Sequence, residues 1–233
     1  VRFNFFNFFR KNENKISLNN AKNSQAMWTS FMYTPEATEK LDKWLSDESK
    51  MKSNYHIKID TIENHNWLRR LFLLKPKVTK SLIFIDTFNN IEVTPREMGL
   101  GISQVLPVLV SCNVYKKAKI FIEQPELHLH PGAQCEIADE FIKSKNENEN
   151  EFVIESHSEH MLLRFMKRMR QTADGILKEG DPLALTPDDV CLLYVDNNVE
   201  FTYLNELELD EEGNLLDPWP NGFFEEGYKE RFS

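Results

Sequence analysis

The order of elements predicts an α/β fold: a partial parallel sheet flanked by helices, with a helical and antiparallel β lobe before it and a β-hairpin after it. Two apolar runs, Ile120-Phe121-Ile122 and Phe152-Val153-Ile154, read as buried strands and lie either side of a helical stretch, GAQCEIADEFIKSK. Apolar strands separated by a helix are the pattern of a parallel pair. Two further alternating segments, LIFIDTF–Asn89-Asn90–IEV and VCLLYV–Asn197-Asn198–EFTYL, read as hairpins, because Asn tolerates the positive φ that tight turns need.

Taken from the start, residues 1–33 combine a Phe-rich opening, expected to pack on a neighbouring element, with an Asn- and Lys-rich stretch read as loop. TPEATEKLDKWL predicts a helix with Thr34 as cap, Pro35 in the first turn and Ala37, Leu41, Trp44 and Leu45 on one face. YHIKIDTI alternates as a strand does, and a second helix is expected over Asn66 to Leu74. MGLGISQVLPVLVSC predicts a helix from about Ser103, with Pro107 near its first turn. Pro131 suits the first turn of the helix after the first apolar strand. NENENE (146–151) reads as a solvated loop. Ser158 is placed to cap a helix running to about Arg170, with Met161, Leu162, Phe165 and Met169 inward and Arg164, Lys167, Arg168 and Arg170 on a face that is either solvated or in contact with nucleic acid or a partner. The motifs divide the chain into 1–97, 98–189 and 190–233.

Composition bounds the function. At 233 residues, 41% hydrophobic and 28% charged, the chain can build a sizeable core. A net charge of −9 argues against a global electrostatic grip on nucleic acid, though a local basic patch stays open. Cys112, Cys135 and Cys191 lie far apart with no CxxC pair, which suits free thiols in a reducing compartment. No apolar run approaches the roughly 18 residues of a membrane span and no signal peptide is evident, so the expectation is a cytoplasmic protein with no membrane partner. The first residue is Val1 and the first glycine is Gly99; the expectation is a fragment, a processed product or the ordered part of something longer.

The chemistry-bearing residues cluster where the first apolar strand stops, at Glu123-Gln124-Pro125-Glu126. Strand C-termini are where open α/β sheets place ligands. Two carboxylates there either hold a divalent cation through oxygen ligands and intervening waters, or cap the next helix and face solvent. His128, His130 and Cys135 lack the paired spacing of a zinc site. His157 and His160 have i, i+3 spacing, and His157 at a strand end is placed to touch phosphate. Gly99 and Gly101 put flexible backbone before a helix start, where anions bind.

In this order, GLGISQ, IFIEQPE, LHLH and FVIESHSEH resemble the second half of an ABC-type ATPase head, in the branch that includes SMC-like and OLD-family ATPases. The run GLGISQVLP, IEQPELHLHP, ESHSEH and WPNGFF (219–224) resembles a bacterial group of AAA/ABC-type ATPases that end in a WPxGFF box. The resemblance implies a P-loop NTPase-like fold that binds and hydrolyses ATP with Mg²⁺. It makes Gly99, Gly101, Ser103 and Gln104 the signature segment, which clamps the γ-phosphate held by a second head. Glu123 becomes the Walker B carboxylate that holds Mg²⁺ through water, and Gln124 stands where the family usually has the glutamate that orients water. Glu126 is the residue that could compensate, His128 and His130 are D-loop residues, and His157 is the switch histidine at the γ-phosphate. Homodimers or larger homo-oligomers of ATP-sandwiched heads are implied, with an effector such as a nuclease, or DNA, as further partners in DNA metabolism or anti-phage defence. No acidic cluster of the TOPRIM kind follows residue 165, so nuclease activity is not expected of this chain.

Two departures qualify the resemblance. Glutamine cannot take a proton as glutamate does, which predicts slow hydrolysis. No GxxxxGK[ST] loop occurs in the chain, so the phosphate cradle is expected upstream of Val1 or on another chain, and this polypeptide alone is not expected to bind ATP tightly. An ATPase-like scaffold that assembles partners is the alternative, and a metal-dependent hydrolase using His128, His130, His157 and Glu123 is a third class.

Overall fold

The computed structural model describes residues 2–6, 15–16, 21–47, 50, 53–64, 77–95, 97–197, 201–216 and 218–220. The helix expected over Asn66–Leu74 and most of the WPNGFF box lie outside them. The chain forms two compact units, Val1–Asn19 with Tyr115–Ser233, and Asn20–Val114; the motif-based division at residue 98 falls inside the second.

The first unit is built on a six-stranded sheet. Its strands are β1 (Arg2–Phe6), β2 (Lys15–Ile16), β6 (Lys119–Glu123), β7 (Glu151–Ser156), β8 (Leu192–Asn197) and β9 (Thr202–Leu207), in the order β2-β6-β7-β1-β8-β9. β6 and β7 are parallel neighbours, as the apolar runs predicted, whereas β2, which pairs parallel with β6, falls in the stretch read as loop. β1 enters antiparallel to both β7 and β8, and β8–β9 is the expected hairpin. The Phe-rich opening is therefore an interior strand of this sheet.

The expectation that β6 is a buried strand holds on one face only. Ile120 and Ile122 are buried, but Phe121 is 43% exposed and Glu123 is exposed. Alternation along the strand leaves one side open.

The helix after β6 spans Pro131–Asn148, with Pro131 in its first turn, and buries Ala133, Ile137, Ala138, Phe141 and Ile142. NENENE is not a loop. It holds the last helical turn, a left-handed cap at Glu149 (φ 54°) and the first residue of β7. Asn150 within it is 1% exposed. Its Oδ1 accepts from Ala118 N (3.0 Å), and its Nδ2 donates to Tyr115 O (2.7 Å) and Ser144 Oγ (2.9 Å). One buried amide with its bonds satisfied ties the start of β6 to the end of the helix.

The helix after β7 spans Glu159–Ala173; Ser158 caps it by accepting from Met161 N (3.0 Å), and Met161, Leu162, Phe165 and Met169 are buried as predicted. The basic face is not simply solvated. Arg164 donates to Asp139 (3.1 and 2.7 Å) and Glu136 (2.7 Å), and Arg168 Nε donates to Asp139 (2.8 Å). Asp139 is 3% exposed, so its two arginine partners fold inward against the Pro131–Asn148 helix to reach it. Lys167 and Arg170 do stay exposed.

Among the described residues the α-helices are, in chain order, α1 (Ala21–Met32), α2 (Pro35–Ser46), α3 (Leu100–Val114), α4 (Pro131–Asn148) and α5 (Glu159–Ala173). The second unit holds the first three and the antiparallel sheet β3 (Tyr55–Asn64), β4 (Lys77–Asp86) and β5 (Ile91–Val93). The Asn- and Lys-rich stretch read as loop is helical from Ala21, with Met27 and Phe31 buried. Ala37, Leu41, Trp44 and Leu45 of α2 are buried as predicted, but Thr34 donates its hydroxyl to Ser30 O (2.8 Å) and makes no side-chain cap. Asp42 on α2 accepts from Ile57 N (2.6 Å), which fastens the helix to β3. The β4–β5 turn is held by Asp86, which accepts from Phe88 N (2.9 Å) and Asn89 Nδ2 (2.7 Å), with Asn90 at φ 55°. α3 starts at Leu100, three residues before the expected Ser103, because Ser103 N already donates to Gly99 O (3.1 Å). Pro107 consequently sits inside the helix rather than near its first turn, and removes one donor from the ladder.

Replacing Asp139 by Ala leaves two arginines without their buried partner and is expected to cost about 3 kcal/mol in urea unfolding. Burial raises the Asp139 carboxyl pKa, but the hydrogen bonds from Arg168 and Arg164 outweigh it and hold it below the usual range. The stabilisation is therefore full above the unfolded value near 3.9 and is lost as pH falls through the lower folded value, so wild type and variant should converge in acid. At Gly213 φ is +78°, and a Cβ there would meet the Met169 Cβ and Sδ at 2.8 Å. Gly213→Ala should cost about 1–3 kcal/mol in the same measurement.

Candidate active site at the ends of two parallel strands

β6 and β7 run in register, so that Glu123 pairs with Glu155 at their C-terminal ends. Gln124 N carries the ladder one residue further by donating to Glu155 O (2.7 Å). The chain then turns sharply. Gln124 is at φ 47° and His128 at φ 62°, left-handed conformations that cost a non-glycine residue free energy and need surrounding support. The support is visible: Leu127 N donates to Gln124 O (3.2 Å) and Leu129 N to Glu126 O (3.0 Å). Pro125, Glu126 and Leu129 point inward while Leu127, His128 and His130 are exposed. His130 Nδ1 accepts from Gly132 N (3.2 Å), so this histidine caps α4.

Glu126 lies under the turn, 8% exposed. Its Oε1 accepts from His157 N (2.6 Å), while Oε2 is buried with no hydrogen-bond partner among the described residues. The exposed His157 is thereby held beside the turn that carries Gln124 and His128. Glu123, Gln124, Glu126, His128, His130 and His157 are thus gathered by two adjacent strand ends and the turns that follow them.

Gly99, Gly101, Ser103 and Gln104 belong to the other unit, where Gly99 directly precedes α3 and the other three lie in its opening turns. Ser103 Oγ donates to Leu100 O (2.9 Å) and Gln104 is exposed. A Cβ at Gly99 would meet nothing within 4 Å, so packing within the described residues does not demand glycine at this position.

The metal readings separate on donor chemistry. Among the described residues no group of three or more His, Cys, Asp or Glu is arranged to hold a metal. Cys135 Sγ donates to His160 O (3.6 Å), and burial is the main cause that pushes its thiol up, both unlike a zinc thiolate. Magnesium asks less, because it keeps several waters and is held through one or two carboxylates. An exposed Glu123 at a strand end, beside Glu155, fits that requirement.

Sequence reasoning missed Gln134, whose side chain bridges the two turns: Nε2 donates to Leu129 O (2.9 Å) and Oε1 accepts from Ser158 Oγ (2.6 Å). A lone glutamine in an amphipathic helix gives no periodic signal, so only the fold reveals it.

Residues 7–162 match the AAA ATPase domain family, and residues 185–231 match a family described as a protein of unknown function (DUF3696). No curated protein matches the chain. Among solved structures the chain is similar to one described as the SmcHead bound to the C-winged helix domain of ScpA, at 10% identity and a TM-score of 0.50. That likeness covers 83% of this chain and 48% of the SMC head, so the chain spans about half the neighbour's length and shares its fold over that part. With about two thirds of its length inside the first match, the chain belongs to the AAA ATPase domain family.

Proposed function

We propose that the chain supplies the Walker B, D-loop and switch-histidine part of an ATP-gated head, working as an ATPase once joined to a GK[ST]-bearing phosphate cradle. The observation that carries this reading is the gathering of Glu123, Gln124 and His157 at the ends of parallel β6 and β7, with Glu126 Oε1 accepting from His157 N. Strand C-termini of this kind are where α/β sheets bind ligands.

Phosphoryl transfer needs positioning and charge neutralisation more than covalent help. Glu123 would hold Mg²⁺ through water, and the bound ion would neutralise charge on the phosphate oxygens. Gln124 can orient a water by hydrogen bonding but cannot accept its proton, which sets a slow rate. His157, exposed at the end of β7, would donate a hydrogen bond to the terminal phosphate. The start of α3, with Gly99 open on its surface, would face a nucleotide held by a second head through helix N–H groups. His128 and His130, exposed on the turn, would face that head as D-loop residues. A homodimer or larger homo-oligomer follows from that arrangement.

The SMC head of the similar structure carries a ScpA winged-helix domain. By analogy, an accessory protein or nuclease effector would bind this head and read its ATP state, in DNA metabolism or anti-phage defence. The OLD-like motif order and the WPxGFF box support that placement within the family.

A second reading, an ATPase-like scaffold that assembles partners without turnover, is favoured by one observation: Gln124 stands where a base is expected. Turnover by the chain joined to its phosphate cradle separates the two. The ATPase reading predicts that Glu123→Ala lowers the rate by about 100-fold and that Gln124→Glu raises it by about tenfold or more. Nucleotide-dependent dimerisation with no turnover in wild type or Gln124→Glu would establish the scaffold instead.

A further inference from the structure

The turn after β6 and the turn after β7 are joined by two side-chain links. In the first, Glu126 Oε1 accepts from the main-chain N–H of His157 at 2.6 Å. In the second, Gln134 on α4 takes both turns at once, donating from Nε2 to Leu129 O and accepting at Oε1 from Ser158 Oγ. Ser158 Oγ in turn accepts from Met161 N and so caps α5. We propose that Glu126 and Gln134 are positioning residues that lock the His128 turn to the His157 turn, so that the D-loop and the switch histidine move as one body.

The chemistry of the links is specific. A main-chain carbonyl only accepts, so Gln134 must present its amide N–H to Leu129. Its carbonyl then faces Ser158, whose hydroxyl gives its hydrogen to Gln134 and its lone pair to Met161 N. Every polarity in the relay is fixed by its two ends. Displacing the His128 turn would free Gln134, deprive the Ser158 hydroxyl of its acceptor and loosen the cap of α5.

Glu126 needs only an acceptor to do its part. It is more than nine-tenths buried, one oxygen is taken by a main-chain N–H, and the other is enclosed with no partner among the described residues. A base that activates water must reach that water. A carboxylate enclosed beneath the turn is placed to hold the turn.

Isosteric substitutions distinguish these roles in opposite directions. Glu126→Gln keeps the acceptor at Oε1, whereas Gln134→Glu sets an acceptor against the Leu129 carbonyl. Amide hydrogen exchange on the chain as it stands reads the links without nucleotide. Glu126→Ala should speed exchange at His157 N–H by about tenfold, Glu126→Gln should hold it near wild type, and Gln134→Glu should speed exchange at Met161 N–H by a similar factor. The amides of Ile122 and Ile154 serve as controls and should not change. If Glu126→Ala unfolds the chain, Glu126→Asp, shorter by one methylene, replaces it with the same expectation at His157.

The functional consequence rests on the nucleotide-site reading above, and turnover with the phosphate cradle tests it separately. Loss of turnover in Glu126→Ala, largely rescued by Glu126→Gln with KM little changed, supports the positioning role. Protection at His157 surviving Glu126→Ala would overturn the proposal. So would loss of turnover in Glu126→Gln while His157 stays protected, since the carboxylate would then be acting chemically. If no variant turns ATP over, wild type included, the ATPase reading fails and the exchange result alone decides the linkage.

Discussion

Lys119 to Glu123 lies parallel to Glu151 to Glu155, residue for residue, and nearly every property of the site depends on that register. Side chains alternate across a strand, so a slip of one residue would send Ile120 and Ile122 to the exposed side and turn Glu123 inward. The Gln124 N–H to Glu155 O bond extends the pairing past the end of β6. It places the turn carrying Gln124 and His128 directly beside the turn carrying His157.

Register in turn is held from outside the strands. α4 must cross from the end of β6 back to the start of β7, and its return is fixed by Asn150, which bonds the chain on both sides of the crossover. α4 and α5 are cross-braced by Asp139 with Arg164 and Arg168. Such a buried charge cluster adds little net stability compared with a well-packed apolar one, but removing one partner leaves the others stranded. It pins α5 to α4 at Arg164 and Arg168, and each helix begins at one of the two site turns. The brace and the site are therefore mechanically continuous.

Much of this was legible in the sequence, for identifiable reasons. β6, β7, α4 and α5 announce themselves through short apolar runs, Pro131 and Ser158, whose local chemistry agrees with the final packing. That Glu123 and His157 stand at strand ends was readable from the apolar runs that precede them. What stayed hidden depends on partners distant in sequence. Arg164 and Arg168 look solvated until Asp139 is placed beside them, and NENENE looks like a solvated loop until Asn150 finds Ala118, Tyr115 and Ser144. Residues 2–6 read as a packing segment because β1 becomes a strand only between β7 and β8. Gly99 misled in the other direction: a glycine-rich run suggested a break before Ser103, yet the helix starts at Leu100.

In the proposed function the ends of β6 and β7 handle the magnesium–nucleotide complex. A crystal structure of the chain joined to its phosphate cradle, grown with Mg²⁺ and a non-hydrolysable ATP analogue, tests it most directly. The expected result is a hydrated metal ion within water-bridged reach of the Glu123 carboxylate and the terminal phosphate within hydrogen-bond distance of His157. Nucleotide bound elsewhere, with Glu123 and His157 both facing bulk solvent, would contradict it.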